Sequence, residues 1–326
     1  MKNSNLFLVM CSFLTVYVLY TGWRMYMVSL SVRDKFICLF SKPHSRLWNS
    51  TSLILNISLK LTTKSLNLKT YFYKRMSNSQ TFEMLELLQV FINLLDRSNI
   101  TYVAYGGTLI GIYRHHGMIP WDDDIDILID GNQKELLKLI AKNISAPHKL
   151  LSYDNKPTGH WKFYNLNSAT INGKPFKYPY IDIFFFQYSS NGTIYDESYP
   201  EFNTTILRMF PLIKRFFNGI SINTPCQIKP VLESFYGNLD NCHSPYYNHS
   251  KEHYITHHRS VKCEKLKKKY SFVVRKISEN SSRKTIVETL IKRTKIIHKL
   301  VYSVPKQCNG KMKILKSDMN VFLIND

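Results

Sequence analysis

The sequence predicts an α/β (α+β) protein in which a mixed sheet is flanked by helices, with an N-terminal transmembrane helix ahead of it. The 326 residues are 44% hydrophobic and 21% charged, with only 12 Gly and 12 Pro. This composition is globular and excludes collagen-like, coiled-coil and disordered chains. Segments of helical and of strand periodicity alternate between residues 81 and 190. Between Lys2 and Arg24 the chain carries no charge.

The uncharged N-terminal segment has the length of a membrane span. Residues 6–21 are mostly apolar, and a helix across the whole uncharged segment would reach about 30 Å. No polar face interrupts the run. It also lacks the positively charged n-region and the small-residue cleavage site of a cleaved signal peptide. We interpret residues 1–23 as an uncleaved signal anchor. Residues 24–80, which mix Ser, Thr, Asn and Lys, then form a stem.

Charge and glycosylation motifs point to opposite sides of the membrane. Arg24, Arg33 and Lys35 outnumber Lys2, which favours a cytosolic C-terminal part. Asn-x-Ser/Thr motifs occur at about twice the chance frequency, which favours the lumen. Long C-terminal domains translocate largely regardless of charge. We therefore expect a single-pass type II protein of the Golgi or endoplasmic reticulum membrane, with a lumenal catalytic domain glycosylated at Asn49, Asn56, Asn99, Asn143, Asn191, Asn203, Asn248 and Asn280.

The elements of the central part can be placed from periodicity. Apolar residues at Phe82, Leu85, Leu88, Ile92 and Leu95 predict a first helix that ends near residue 97. Further helices are expected over 108–115 and 133–142, and strands over 101–105, 124–130, 149–153, 161–164 and 180–186. Helices and loops are expected from about residue 190 onwards. The last part, 251–326, is strongly basic.

Two segments carry residues suited to chemistry. Gly106 and Gly107 allow a sharp turn, and a helix starting at Thr108 would direct its positive end at a phosphate. A plain turn is the alternative. Asp124 and Asp126 alternate along a strand and so share one face. Such close carboxylates need a cation, and oxygen ligands select Mg²⁺ or Mn²⁺. Asp182, flanked by Ile on both sides, is the third expected ligand.

The stretch from Tyr105 to Asp126, YGGTLIGIYRHHGMIPWDDDID, closely resembles the signature of the LicD family, which includes bacterial phosphocholine transferases and fukutin-related proteins. Ile181-Asp-Ile-Phe184 is similar to its second motif, and the segment 219–225 with Phe235-Tyr-Gly237 is loosely similar to its third. The resemblance implies a nucleotidyltransferase-like catalytic domain over 81–250. It also implies transfer of phosphocholine or an alditol phosphate from a CDP-linked donor to a glycan or glycoprotein.

This resemblance, combined with the residues, gives a hypothesis for each side chain. Asp124 and Asp126 would hold Mg²⁺ or Mn²⁺ on the donor, and Asp182 would complete the metal shell or accept the acceptor's proton. Asp122 would orient the loop. The phosphate oxygens would be bound by Gly106, Gly107 and Thr108, with Arg114 and Lys162 as the neutralising cations.

Other interpretations remain open at this point. The basic tail suits an RNA-tailing nucleotidyltransferase, although the apolar N-terminus and the glycosylation motifs favour a function without nucleic acid. An inactive scaffold of glycan synthesis is a further alternative, and a homodimer is left open. His249, His253 and His257 recur every fourth residue, but their spacing fits a polar, partly exposed face better than a zinc site. Four C-terminal cysteines allow three pairings.

Overall fold

The computed structural model describes residues 9–11, 24–30, 35–41, 68–153, 160–280, 283–305 and 308. The chain divides into two compact units, residues 1–68 and 69–326. The first unit contains a three-stranded antiparallel sheet in the order β1-β3-β2. Its strands are β1 (Val9–Cys11), β2 (Arg24–Leu30) and β3 (Lys35–Ser41).

The predicted transmembrane helix is not found among the described residues. None of the helices that the structure describes is both long enough and apolar enough to cross a membrane. Most of the predicted span, 1–23, lies outside the described residues, and Val9–Cys11 within it form a strand rather than a helix. A short apolar run without a polar face fits either period, so periodicity alone could not decide between them.

The second unit opens with two helices, α1 (Leu68–Tyr71) and α2 (Asn78–Arg97). The long helix starts earlier than predicted because Ser77 and Gln80 form a reciprocal capping box. The Ser77 hydroxyl accepts from the Gln80 amide at 3.1 Å, and the Gln80 side chain accepts from the Ser77 amide at 2.9 Å. The predicted apolar stripe is partly wrong, since Phe82 is 64% exposed. The buried face consists of Met84, Leu87, Leu88, Phe91, Ile92 and Leu95.

A seven-stranded mixed sheet forms the centre of this unit and confirms the predicted class. Its path runs β10-β9-β8-β5-β4, with β7 also paired to β8 and β6 to β7. The pairing of β5 with β8 is parallel, whereas β4 with β5 and β7 with β8 are antiparallel. The strands are β4 (Tyr102–Ala104), β5 (Ile125–Asp130), β6 (His148–Leu151), β7 (Trp161–Thr170), β8 (Lys177–Tyr188), β9 (Thr193–Asp196) and β10 (Asn203–Thr205).

The two faces of this sheet bury different clusters. Ile125, Ile127, Ile181 and Ile183 belong to the main core, together with the apolar face of α2. The intervening residues point to the opposite face, where Leu128, Phe184 and Phe186 form a second cluster. Two helices, α3 (Gly106–His115) and α4 (Lys134–Ala141), follow β4 and β5, each within two residues of its predicted bounds.

The region beyond residue 190 differs most from the prediction, because strands rather than helices dominate it. The α-helices among its described residues are α5 (Ile206–Met209) and α6 (Ile228–Tyr236). Val, Ile and Thr alternate with lysine here, and this period suits strands better than a solvated helix. The antiparallel pairs are β11 (Ile213–Phe217) with β12 (Ile220–Thr224), β13 (Asn241–His243) with β16 (Ser260–Lys262), and β14 (Tyr247–Asn248) with β15 (His253–Tyr254).

The basic region contributes a three-stranded antiparallel sheet, which we call the C-terminal sheet. It consists of β17 (Phe272–Asn280), β18 (Arg283–Lys292) and β19 (Lys295–Val304). Two disulfides, Cys226–Cys308 and Cys242–Cys263, settle the pairing that the sequence left open.

Several of the predicted glycosylation motifs lie on the surface. Asn99, Asn143, Asn191 and Asn203 are exposed. Asn248 is half-buried, and its side-chain oxygen accepts from the Lys251 amide at 3.0 Å. Asn49 and Asn56 lie outside the described residues, as does the side chain of Asn280. Exposure makes the first four sites sterically open to a glycan, and their modification stays a prediction.

Candidate active site

Three carboxylates converge where β5 and β8 lie side by side. The parallel register sets Asp126 directly opposite Asp182, and Asp124 comes just before β5 on the same face. One oxygen from each of Asp124, Asp126 and Asp182 lies within 4.8 Å of the others. The structure thus brings together the three residues that the sequence singled out, from segments 56 residues apart along the chain.

The glycine pair makes room for one of these carboxylates. Gly106 has φ +50°, and a Cβ on it would lie 2.3 Å from Asp126 Oδ2. The Gly107 amide donates to the same oxygen at 3.2 Å, and Thr108 Oγ1 accepts from the Asp126 amide at 2.8 Å. A Cβ on Gly107 would meet Asp122 Oδ2 at 2.7 Å. These contacts show that Gly107 and Thr108 hold Asp126 in place. Binding of phosphate by the same glycine loop stays a prediction.

Lys162 lies in the same row of residues, one strand further along. It pairs with Asp182 across β7 and β8, and its Nζ donates to Asp182 Oδ1 at 2.5 Å. Its side chain is only 12% exposed and lies 4.0 Å from the centre of the Tyr180 ring. The predicted cation is therefore at the site, and its described partner is a carboxylate.

The described hydrogen bonds of Arg114 are to backbone carbonyls, and its predicted role in phosphate binding stays a prediction. The residue lies in the last turn of α3, about 12 Å along the helix axis from Gly106. Its guanidinium donates to the carbonyls of Leu239 and Asn241, the second at 2.9 Å. The side chain therefore fastens α3 to the segment before β13.

His249 is the site residue that sequence reasoning missed. Its Nδ1 lies 2.8 Å from Asp123 Oδ1, its Nε2 lies 3.3 Å from Asp124 Oδ2, and its amide donates to Asp123 Oδ2 at 3.1 Å. Its side chain is 16% exposed, so it is partly exposed as expected, but it also contacts two carboxylates. His253 and His257 are exposed and belong to no metal-binding group among the described residues.

Comparison with known proteins identifies the domain that carries this site. Residues 99–227 match the family model described as "LicD/FKTN/FKRP, nucleotidyltransferase domain". This range contains all three carboxylates, both glycines and Lys162. Residues 99–227 thus form a LicD-type nucleotidyltransferase domain within the chain.

The relatives of this LicD domain include proteins with and without a named activity. Uncharacterized proteins of Rickettsia prowazekii and Rickettsia typhi are each 29% identical to this chain, over 156 and 154 residues. These alignments cover 46% of this chain and 53% and 44% of the two relatives. The lipopolysaccharide cholinephosphotransferase LicD of Haemophilus influenzae is 52% identical over 48 residues, which are 15% of this chain and 18% of that protein. The chain thus spans about half or less of these relatives.

The electrostatics of the LicD domain site suit a divalent cation. Burial, with repulsion from neighbouring carboxylates, raises the pKa of Asp124 and of Asp126 to about 7. Burial alone would lower the pKa of His249, but Asp124 and Asp123 outweigh it and raise this pKa to about 10. His249 and Lys162 thus supply two positive charges among at least four carboxylates. Such a group of carboxylate oxygens could hold a divalent cation.

An aromatic surface extends from the carboxylates along β8. Phe184 follows Asp182 by two residues and so lies on the same face, about 7 Å away. Its ring lies 4.1 Å from that of His160, whose Nε2 is buried without a hydrogen-bond partner. Further contacts of 5.5 to 6.0 Å between ring centres continue the surface outwards through Tyr199, Phe202 and Tyr236.

Proposed function

We propose that this protein transfers a phospho-alcohol from a CDP-linked donor to a glycan, with Mg²⁺ or Mn²⁺ as cofactor. The observation that carries the proposal is the convergence of Asp124, Asp126 and Asp182 within 4.8 Å of one another inside the LicD domain. The similarity to a cholinephosphotransferase supports the same reaction class.

Each residue of the site then has a part in the reaction. The acceptor hydroxyl attacks the phosphorus that carries the alcohol, the bond to the CMP oxygen breaks, and CMP leaves. Asp124 and Asp126 would hold the metal, which neutralises charge on the pyrophosphate when bound. Asp182 completes this ligand set or accepts the hydroxyl proton. Gly107 and Thr108 hold Asp126 in place, and Lys162 balances the charge of Asp182.

Substitution of the carboxylates tests this proposal. CMP release from a panel of CDP-alcohols should require Mg²⁺ or Mn²⁺ and should fall below detection in Asp124→Asn and in Asp126→Asn. Asp130→Asn is a matched control, since Asp130 lies on the same face of β5 but outside the acidic group. It should retain most of the turnover. Full turnover in both the Asp124 and Asp126 variants, with unchanged circular dichroism, would refute the assignment.

The aromatic surface favours phosphocholine over an alditol phosphate as the group transferred. A quaternary ammonium is attracted to aromatic faces, whereas an alditol carries no charge for them to attract. The Tyr199 amide donates to Asp196 Oδ1 at 3.3 Å, so a buried carboxyl group lies next to this residue. Tyr199→Leu should raise the KM for CDP-choline more than that for CDP-ribitol. Tyr73→Leu, at an exposed ring outside this surface, should change neither.

We also propose that the LicD domain works in the lumen of the Golgi or endoplasmic reticulum, anchored by the segment 1–23. The supporting observations are the excess of Asn-x-Ser/Thr motifs and the exposure of Asn99, Asn143, Asn191 and Asn203. Treatment of the expressed protein with an N-glycosidase should increase its gel mobility. An unchanged mobility would contradict the lumenal location without bearing on the reaction.

A further inference from the structure

The two faces of the C-terminal sheet differ in what they contact. On the inner face, Glu288 is buried, and its carboxylate binds His116 Nε2 at 2.9 Å and Arg275 Nε at 2.7 Å. Arg215 lies 3.8 Å from the ring centre of Tyr302 on the same face. These contacts fix the sheet to the end of α3 and to β11.

On the outer face, lysine and aliphatic residues follow each other along β17 and along β19. Along β17 Val274 precedes Lys276, and along β19 Lys299 precedes Val301. Across the strands Val274 lies level with Lys299, and Lys276 lies level with Val301. The exposed fractions are 43% for Val274 and 62% for Val301, and both lysines are exposed. We call this set, with Ile296, the outer face of the C-terminal sheet.

The charge of this segment is almost entirely positive. Residues 272–304 contain eight Lys or Arg and two Glu. One of these, Glu288, is neutralised on the inner face. Three of the eight basic residues, Lys292, Arg293 and Lys295, lie at or beside the turn between β18 and β19, next to Ile296, which is 60% exposed. An anionic surface is the complement of such a patch.

Exposed aliphatic side chains among lysines distinguish between anionic partners. Single-stranded nucleic acid is bound through aromatic stacking, and the described outer face offers only Phe272, which is 6% exposed. Aliphatic groups instead gain free energy by entering the boundary between headgroups and acyl chains, while lysines extend to the headgroups. We propose that the outer face of the C-terminal sheet binds the surface of a bilayer that contains anionic phospholipids.

Vesicle flotation with the full chain tests this proposal. Binding to phosphatidylcholine vesicles measures any contribution of the N-terminal segment. The anionic increment is the gain in affinity when the vesicles also contain phosphatidylserine. We expect this increment to fall steeply with salt. It should drop at least about 25-fold in the double variant Lys276→Glu, Lys299→Glu, since the loss of each lysine costs about fivefold and each new carboxylate adds repulsion. Lys142→Glu with Lys149→Glu, at exposed lysines outside this sheet, is the control of equal charge and should bind like the wild type.

A second double variant, Ile296→Ser with Val301→Ser, tests the aliphatic contribution at unchanged charge and should also weaken anionic binding. Equal urea midpoints would show that the variants fold. The proposal is wrong if anionic vesicles bind no better than neutral ones, or if both charge variants lose binding equally. It is also wrong if the Lys276 and Lys299 variant loses binding to an RNA oligonucleotide while vesicle binding is unchanged.

Discussion

Gly106 offers the sharpest test of the site, because its missing side chain is what admits Asp126. Alanine at this position incurs about 1–2 kcal/mol for its left-handed backbone. In addition, its Cβ would lie 2.3 Å from Asp126 Oδ2, whereas ordinary contact begins at 3.4 Å. The carboxylate would therefore have to move by about 1.1 Å, the difference between these two distances.

A matched control separates these two effects. Gly173 has φ +71°, and a Cβ on it would meet nothing within 4 Å. Gly173→Ala should thus lower the free energy of unfolding by the same 1–2 kcal/mol and leave the site intact. Gly106→Ala should add a loss of about tenfold in metal affinity and about 100-fold in turnover, since a shift of 1 Å has effects of this size.

Urea denaturation, titration calorimetry with Mg²⁺ or Mn²⁺, and CMP release measure the three quantities. If Gly106→Ala and Gly173→Ala prove alike in metal affinity and in turnover, the glycine does not serve to position Asp126.

Two further predictions concern protons and buried charge. Because the pKa values of Asp124 and Asp126 are raised to about 7, metal must displace protons below that pH. Calorimetry should show that metal affinity increases as the pH is raised from 6 to 8. The free energy of unfolding of the metal-free protein should decrease as the pH is raised from about 4 to 7, because the folded state then loses protons that it binds more tightly than the unfolded chain does. Glu288→Ala should lower the free energy of unfolding by about 3–5 kcal/mol because it leaves buried cations unpaired. In the same urea measurements Glu264→Ala, at an exposed pair with Lys267, should cost less than about 1 kcal/mol; equal costs would argue against a buried network.

Asp126 and Asp182 could be predicted from sequence because each is an acidic residue inside an apolar strand, and Asp124 because it precedes Asp126 by two residues. Asp126 and Asp182 stand between isoleucines, and strand alternation alone decides which face they share. The distance between them could not be predicted, because it depends on the parallel pairing of β5 with β8.

His249 and the C-terminal sheet show where sequence reasoning stops. His249 follows Asp124 by 125 residues and lies next to the two-residue strand β14, so no periodic signal places it. Arg114 follows the glycine turn closely in sequence, but the rise of α3 separates the two along the helix axis. In the C-terminal sheet, lysine alternates with valine and isoleucine at the two-residue period of a strand. This period, rather than the positive charge of the segment, indicates its secondary structure.

The lateral alignment of Lys162, Asp182 and Asp126 across three neighbouring strands ties chemistry to folding. A slip of β8 by a single residue would turn Asp182 into the isoleucine core and present Ile181 or Ile183 to the ion. Chains with this shifted register would have no turnover. They would also be less stable, because they would bury the unpaired carboxylate of Asp182. Selection for activity and selection against misregistered chains therefore act on the same few hydrogen bonds.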